Sequence, residues 1–236
     1  MTARSVAVVP FGARSSDPRA GAWGRQIARR LVDRFSGHAE LELKPVFLVA
    51  LPEAAGDAGY LVFGSTPDVS LAAQYGASLG ATHTLVGVLR ADGAARAIDA
   101  TLVDVQARSA LATISHPIPD GELHHAEPAL ATWLAQALGA LTPDVPDAAA
   151  NEPAYAALLE AMDDEVNATL LAASDPRAAA EARLRAATRY LDAVRADPAS
   201  AVAEERLLVI AAESLERGDE ASFVEPLEDQ IGRAHV

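Results

Sequence analysis

Apolar and polar residues along the first third of the chain switch between strand and helix spacing. Residues 6–11 form a short apolar run closed by Pro10 and Gly12, which predicts a buried strand. From residue 23 to residue 35 the apolar positions recur at helical spacing, and Gly37 marks the end of that helix. Residues 41–51 then predict a second extended segment.

The next stretch predicts a further helix followed by consecutive strands. Thr66 and Pro67 are a suitable N-cap and first helical residue for a helix that ends at Gly80. Strands are predicted at 84–90, 95–105 and 110–118, the first two joined by a hairpin turn at Asp92-Gly93. A last amphipathic helix contains Trp133, Leu134, Ala137, Leu138 and Leu141. Strands separated by helices and then paired as hairpins predict an α/β domain, a mixed sheet with packed helices, over residues 1–142.

A proline- and aspartate-rich stretch at 143–152 predicts a linker to a second, helical domain over residues 153–230. Asn151-Glu152-Pro153 is typical of a helix start, and apolar residues fall on one broad helical face up to residue 171. Another helix follows the Ser174-Asp175-Pro176 break, and one more ends at Gly218, before a further helix near Ala221. The apolar faces of these helices need one another to be buried.

Four residues of the second domain have a diagnostic spacing. Ala186, Tyr190, Ala193 and Pro198 reproduce the A-x3-F/Y-x2-A-x4-P pattern, in which alanines permit close helix approach and the proline ends one helix and starts the next. The segment resembles a tetratricopeptide (TPR) repeat, which implies an all-α array of helical hairpins. The alternative is a plain alanine-rich helical bundle, because the preceding helix lacks the usual Trp and the repeat exceeds the standard length.

Composition narrows the classes of function. The 236 residues contain no cysteine and carry a formal net charge of -14, so thiol chemistry is excluded and non-specific binding to nucleic acid is not expected. The arginines at 25, 29, 30 and 34 are expected to form a solvated helix face. The N-terminal apolar run is too short for a signal peptide, and no stretch approaches the ~20 apolar residues of a membrane span, so we expect a cytoplasmic protein without membrane insertion.

Residue patterns that carry chemistry are missing from the sequence. It contains no phosphate-binding glycine loop, zinc-protease motif or nucleophile elbow, so we expect no enzymatic activity, no catalytic residues and no cofactor. One cluster has the residue types of a zinc site: Glu122, His124, His125 and Glu127. The side chains of adjacent histidines point in different directions, so we expect this cluster to be structural. His38 and His83 are expected to be structural or solvent-facing imidazoles.

The predicted strand 95–105 carries two carboxylates that could form an acid and base pair only if they shared one face of the strand. Asp99 and Asp104 are five positions apart, an odd difference, so they lie on opposite faces of the strand and cannot act together. Asp104 is expected to serve the turn at the end of the strand.

The ordered series in the first domain resembles a known family. VAVVPFG, the arginine-rich helix, LGATHTLVGVLR, the DG turn and AIDATLVDVQARSALAT together look like a TolB-like N-terminal domain over about residues 5–141. This bacterial domain is often fused to adenylate cyclases or response regulators and followed by TPR repeats, with related folds in outer-membrane assembly proteins. The resemblance brings no catalytic residues with it.

Three hypotheses of function follow. The first is a non-enzymatic bacterial scaffold whose TPR-like repeats bind a protein or peptide partner. The second is a sensory or regulatory segment of a signalling protein, such as an adenylate cyclase or transcription regulator fusion. The third is an envelope assembly factor, by analogy with distant members of the fold.

The C-terminal residues 231–236, IGRAHV, have an unusual feature at the level of the gene. Their back-translation matches a common sequencing adapter, so we interpret them as read-through rather than protein. On this interpretation the helical repeats are truncated and the natural chain continues past Gln230.

Overall fold

The chain divides into two units within the predicted linker. The computed structural model describes residues 4–46, 67–92 and 95–216, and separates a first unit ending at Asp147 from a second beginning at Ala148. The described part of the first unit contains strands and helices, and that of the second contains helices.

A mixed sheet organises the first unit, as predicted. Its described strands are β1 (Arg4–Val8), β2 (Gly12–Ser15), β3 (Leu41–Pro45), β4 (His83–Asp92), β5 (Ala95–Asp104) and β6 (Ser109–Ile118). They lie in the order β3-β1-β4-β5-β6, and β2 pairs with the second half of β4. The pairs of β1, β2, β3 and β4 are parallel, whereas β5 and β6 add antiparallel hairpins.

The described helices of this unit are α1 (Ala20–Arg34), α2 (Val69–Ser78) and α3 (Ala126–Ala137), with a short 3-10 turn at Leu123–His125. The connection through α1 runs from β1 to β3, and the one through α2 returns across β1 to β4. Right-handed crossovers in opposite directions place α1 and α2 on opposite faces of the sheet. On the α2 face, Val9, Val86 and Val103 pack with Ala72 and Ala73. On the other, α1 packs with α3 and against β2 and β4.

The predicted strand at 6–11 is in fact interrupted, and β2 was missed. Pro10 has no N–H to give to a ladder, so pairing ends at Val8 and resumes at Gly12. Between them Phe11 is buried, with its ring against Gly87 of β4: an added Cβ there would lie 2.9 Å from the ring.

Two helix boundaries also differ from prediction. The N-cap of α2 is Asp68, whose side chain accepts a hydrogen bond from the N–H of Leu71, so Pro67 precedes the cap; Thr66 lies outside the described residues. The helix α3 ends at Ala137 because Gly139 takes a left-handed φ of 57°, which leaves Leu141 75% exposed rather than on the helix.

Three helices make up the described part of the second unit: α4 (Glu152–Leu171), α5 (Pro176–Ala196) and α6 (Ala201–Glu216). Asn151 and Asp175 cap α4 and α5 with their side chains, and a proline occupies the first turn of each, as the sequence predicts. The helix α5 packs along α4 and against α6. Residues 47–51 of the predicted second strand, the stop at Gly218, the helix near Ala221 and residues 231–236 lie outside the described residues.

Candidate functional site

The sheet topology points to the carboxyl ends of β2 and β4. In an open α/β sheet, ligands bind where the connections after two neighbouring central strands run in opposite directions. In this sheet the connections after β2 and β4 run in opposite directions. The loop that follows β2 is fixed in place: Ser15 Oγ donates to the carbonyl of Ala91 at 2.8 Å and accepts the N–H of Asp17 at 2.9 Å. These two hydrogen bonds tie the start of this loop to the end of β4.

A polar network crosses three strands on the α2 face of the sheet. Arg90 donates to both oxygens of Asp99, at 2.5 and 3.1 Å, and Ser115 Oγ donates to Asp99 at 2.6 Å. The Arg90 guanidinium holds the pKa of Asp99 below its ordinary value against the effect of burial, with smaller contributions from Ser115 and Arg14. Asp99 therefore stays ionised and is a weak base, so it is poorly suited to activate the Ser115 hydroxyl.

Sequence reasoning missed Arg90 and Ser115 in this role. With Asp92-Gly93 as the two central residues of the turn, Ala91 would pair with Ala94, so the predicted turn does not give the register. Gly93 and Ala94 lie outside the described residues, and the strands pair Asp92 with Ala95. That register puts Arg90 and Asp99 diagonally across from each other on one face of the sheet.

A second charged pair lies in the loop before α1. Arg19 donates to both oxygens of Asp17, at 3.1 and 2.9 Å, and its guanidinium lies 4.9 Å from the ring centroid of Trp23. These bonds lower the pKa of Asp17. The side chains therefore order the entry to α1.

The structure does not bring the four candidate zinc ligands together as a site. The rings of His124 and His125 lie 3.9 Å apart, but the carboxylate of Glu127 is turned to α1, where it accepts a hydrogen bond from Arg34 at 2.7 Å. No group of three or more His, Asp or Glu side chains suited to a metal occurs in the described ranges. Glu127 thus serves a structural ion pair.

The expectation of a solvated arginine face on α1 is wrong for two of its four members. Arg30 and Arg34 are 8% and 6% exposed, and both face Glu127. Arg34 also reaches Asp147 at 3.0 Å and the carbonyl of Val145 at 2.7 Å. Burial alone would lower the pKa of Arg34, but Glu127 and Asp147 outweigh it and raise that pKa. The two arginines are buried because acidic partners from distant parts of the chain meet them.

His38 and Asp104 contact backbone groups, and His83 lies half-buried at the start of β4. His38 Nδ1 lies 3.2 Å from the N–H groups of Glu40 and Leu41, and its Nε2 lies 3.0 Å from the carbonyl of Leu141. Burial lowers the pKa of His83. Asp104 accepts the N–H of Ala107 at 2.7 Å, which is the turn role expected for it.

The residues of the repeat pattern have distinct environments in the second unit. Ala186, Tyr190 and Ala193 are completely buried on α5. Pro198 lies exposed in the turn before α6, so the prediction that it starts this helix is wrong. The side chain of Ser200 caps α6 instead. The three buried residues permit the close packing of α5 that their spacing predicts.

Ion pairs connect the three helices described in this unit. Asp164 of α4 is bound by Arg185 at 3.2 Å and by Arg189, yet burial raises the pKa of Asp164 in spite of them. Glu165 accepts the hydroxyl of Tyr190 at 2.8 Å and also binds Arg206 of α6. These contacts fix the mutual orientation of α4, α5 and α6.

The helix α6 has an exposed apolar surface. It buries Ala203, Leu207 and Ile210, whereas Leu208 and Val209 are 63% and 37% exposed. We refer to Leu208 and Val209 as the α6 patch. No described helix is long and apolar enough to cross a membrane.

Comparison with known proteins gives weak structural likenesses. Neither the protein-family models nor the curated proteins contain a match to this chain. TolB from Acinetobacter baumannii is 14% identical, with a TM-score of 0.38 over 58% of this chain and 29% of that protein. The LpoB C-terminal domain from Salmonella enterica is 17% identical, with a TM-score of 0.36 over 51% of this chain and 86% of that domain. Lipoprotein GNA1162 from Neisseria meningitidis is 17% identical, with a TM-score of 0.35 over 58% of this chain and 94% of that protein.

This chain spans less than a third of the TolB chain that it matches. Likenesses with TM-scores below 0.5 carry no weight for fold or function. The TolB-like and TPR resemblances therefore remain predictions from the sequence.

Proposed function

We propose that this chain is a non-enzymatic protein that binds a protein partner through its helical unit, in which α4, α5 and α6 form a TPR-like array. The observation that carries the proposal is the α6 patch. Its two apolar side chains are exposed on a helix that buries Ala203, Leu207 and Ile210, in a chain of net charge -14. Exposed apolar surface on a rigid helix is a common feature of protein-binding sites.

The packing of the helical unit supports this role. The hydrogen bond from Tyr190 to Glu165 and the ion pair of Glu165 with Arg206 hold α5 and α6 relative to α4, so the α6 patch is presented in a fixed orientation. A preorganised surface loses less conformational entropy on binding than a mobile one. The proposal places the protein in the cytoplasm, which cell fractionation tests.

The sheet network supports a role without catalysis. Asp99 is a weak base fixed by Arg90, and the hydroxyl of Ser115 is directed to it at 2.6 Å. We interpret this network as structural, because it connects the side chains of β4, β5 and β6 across the sheet. A substrate turned over by the purified chain would contradict this part of the proposal.

Affinity capture with matched variants tests the proposal. The full chain is immobilised as wild type, as the double variant Leu208→Glu/Val209→Glu, and as Leu184→Glu, an equivalent change at a leucine of α5 that is 41% exposed. We expect a bacterial lysate to yield a partner with the wild type and with Leu184→Glu, and not with the double variant. Circular dichroism checks that all three are folded. Identical recovery by all three would contradict the proposal.

A further inference from the structure

The strand β6 lies at an edge of the sheet and lacks the usual protection along its middle. In the described residues it pairs with β5 alone. None of its ten residues is Asp, Glu, Lys or Arg, and only Ile118 is buried. Edge strands are usually blunted by charge, because their unpaired N–H and C=O groups invite another strand.

The opposite edge shows the contrast. The strand β3 carries Glu42 and Lys44 and ends on Pro45. Lys44 Nζ lies 3.6 Å from Glu42 Oε2, so the two side chains form an ion pair. These are the features that discourage strand addition, and they make β6 the edge at which a further strand can add.

Two features of β6 limit where that strand can pair. The register between β5 and β6 shifts from Leu102↔Ala112 to Val103↔Ala110, which leaves Leu111 as the extra residue of a bulge. At the other end Pro117 has no N–H to donate. The regular edge between them is residues 112–116, centred on Ile114, and we refer to it as the window.

This window is self-complementary. In an antiparallel pair of two copies centred on Ile114, Ile114 faces its own counterpart, Thr113 faces Ser115 and Ala112 faces His116. Symmetric pairing sets residues of identical charge close together, and like charges across a strand pair are destabilising. This repulsion does not arise in the window, because it contains no formally charged residue.

We propose that two copies of this chain associate through β6, paired antiparallel about Ile114, to give a sheet continuous across the dimer. The occupant of the edge is a second copy because the window, bounded by the bulge and Pro117, permits this symmetric register. The rest of each chain is strongly acidic, with a net charge of -14, so the two copies repel at long range. The dimer should therefore tighten as salt concentration rises.

Sedimentation equilibrium of the full chain tests the association. We expect a concentration-dependent dimer for the wild type, with a dissociation constant that falls at least threefold between low and moderate salt. Thr113→Lys places a charge on the exposed side of the window and should yield a monomer. The matched control is Thr188→Lys on an exposed position of α5, which should remain dimeric. A monomeric wild type, or a dimer that Thr113→Lys leaves intact, would overturn the proposal.

A cysteine test reports the register directly, because the chain contains no cysteine. Residues facing each other in an antiparallel pair have Cα atoms about 4.5 to 5.5 Å apart, within the range that a disulfide bridges. With oxidised glutathione, Ile114→Cys should form a covalent dimer and Thr188→Cys should not. Failure of Ile114→Cys to cross-link, or equal cross-linking of both variants, would contradict pairing about Ile114. This readout is independent of the α6 patch and so fails or succeeds separately from the proposed function.

Discussion

Gly76 shows how a single hydrogen atom in place of a side chain determines the packing of a helix. A Cβ added at this position of α2 would lie 2.2 Å from Thr84 Oγ1 and 2.4 Å from Val105 Cγ2. Thr84 Oγ1 cannot move away easily, because Thr84 is completely buried in β4. The close approach of α2 to the sheet therefore depends on glycine.

Gly76→Ala should lower the free energy of unfolding by about 1 to 3 kcal/mol, through overpacking. Helix propensity alone predicts the opposite, a gain of about 1 kcal/mol. Urea unfolding followed by circular dichroism distinguishes the two. The control is Gly21→Ala in α1, where the nearest atom is the flexible end of Arg25 at 3.2 Å. A Gly76→Ala protein as stable as the wild type would show that the contact is not limiting.

Asp99 provides a titration that tests the polar network. Its pKa is held below the ordinary value of 3.8, chiefly by Arg90. A lowered folded-state pKa contributes stability above pH 3.8, and that contribution is lost as pH falls through the lowered value. Arg90→Gln should raise the pKa of Asp99 toward its ordinary value, as measured by carboxyl NMR. Asp17, whose pKa Arg19 lowers, is the internal control and should not move. An unchanged Asp99 titration would contradict the assignment.

At the scale of elements, α1 and α3 are joined by a buried charge cluster. Glu127 of α3 is 1% exposed and is the partner of both Arg30 and Arg34 of α1. Glu127→Gln should destabilise the first unit by about 3 to 5 kcal/mol, because it leaves buried guanidinium groups without this counter-charge. Asp147→Asn removes a partner whose side chain is 46% exposed, and should cost about 1 kcal/mol or less. Thermal unfolding measures both, and equal effects would contradict the role of burial.

The contact between α4 and α5 relies on small residues. Ala186 is completely buried on α5, whereas Ala180 of the same helix is exposed. Ala186→Leu should destabilise the helical unit by about 1 to 3 kcal/mol, because the added atoms force the helices apart. Ala180→Leu adds the same atoms at the surface and should have little effect. Chemical denaturation compares the two, and a tolerated Ala186→Leu would argue against close packing at this site.

Local patterns predicted most elements, and long-range partners account for what they missed. Local sequence patterns predicted strands at 95–105 and 110–118, and Asn151 and Asp175 with their prolines predicted the starts of α4 and α5, because each signal lies within a few neighbouring residues. Arg30 and Arg34 were expected in solvent because their partner Glu127 is about ninety positions away. The break at Pro10 was interpreted as a strand end, since pairing of β2 with β4 is a tertiary feature.

At the scale of the whole molecule, charge and apolar surface are distributed unequally. The chain has a net charge of -14, yet the middle of β6 and the α6 patch carry no charge. Long-range repulsion of a like-charged neighbour therefore coexists with uncharged surfaces suited to close contact. This distribution underlies both proposals, with one surface for a second copy of the chain and the other for a partner.

Site-specific photo-crosslinking in cells tests the central claim, that α6 contacts a protein partner. A photoreactive residue replaces Val209 of the α6 patch in the full chain, or Leu184 of α5 as the matched exposed control. The account predicts one discrete crosslinked product from position 209 that is missing from position 184. No product at position 209, or the same products from both positions, would contradict it.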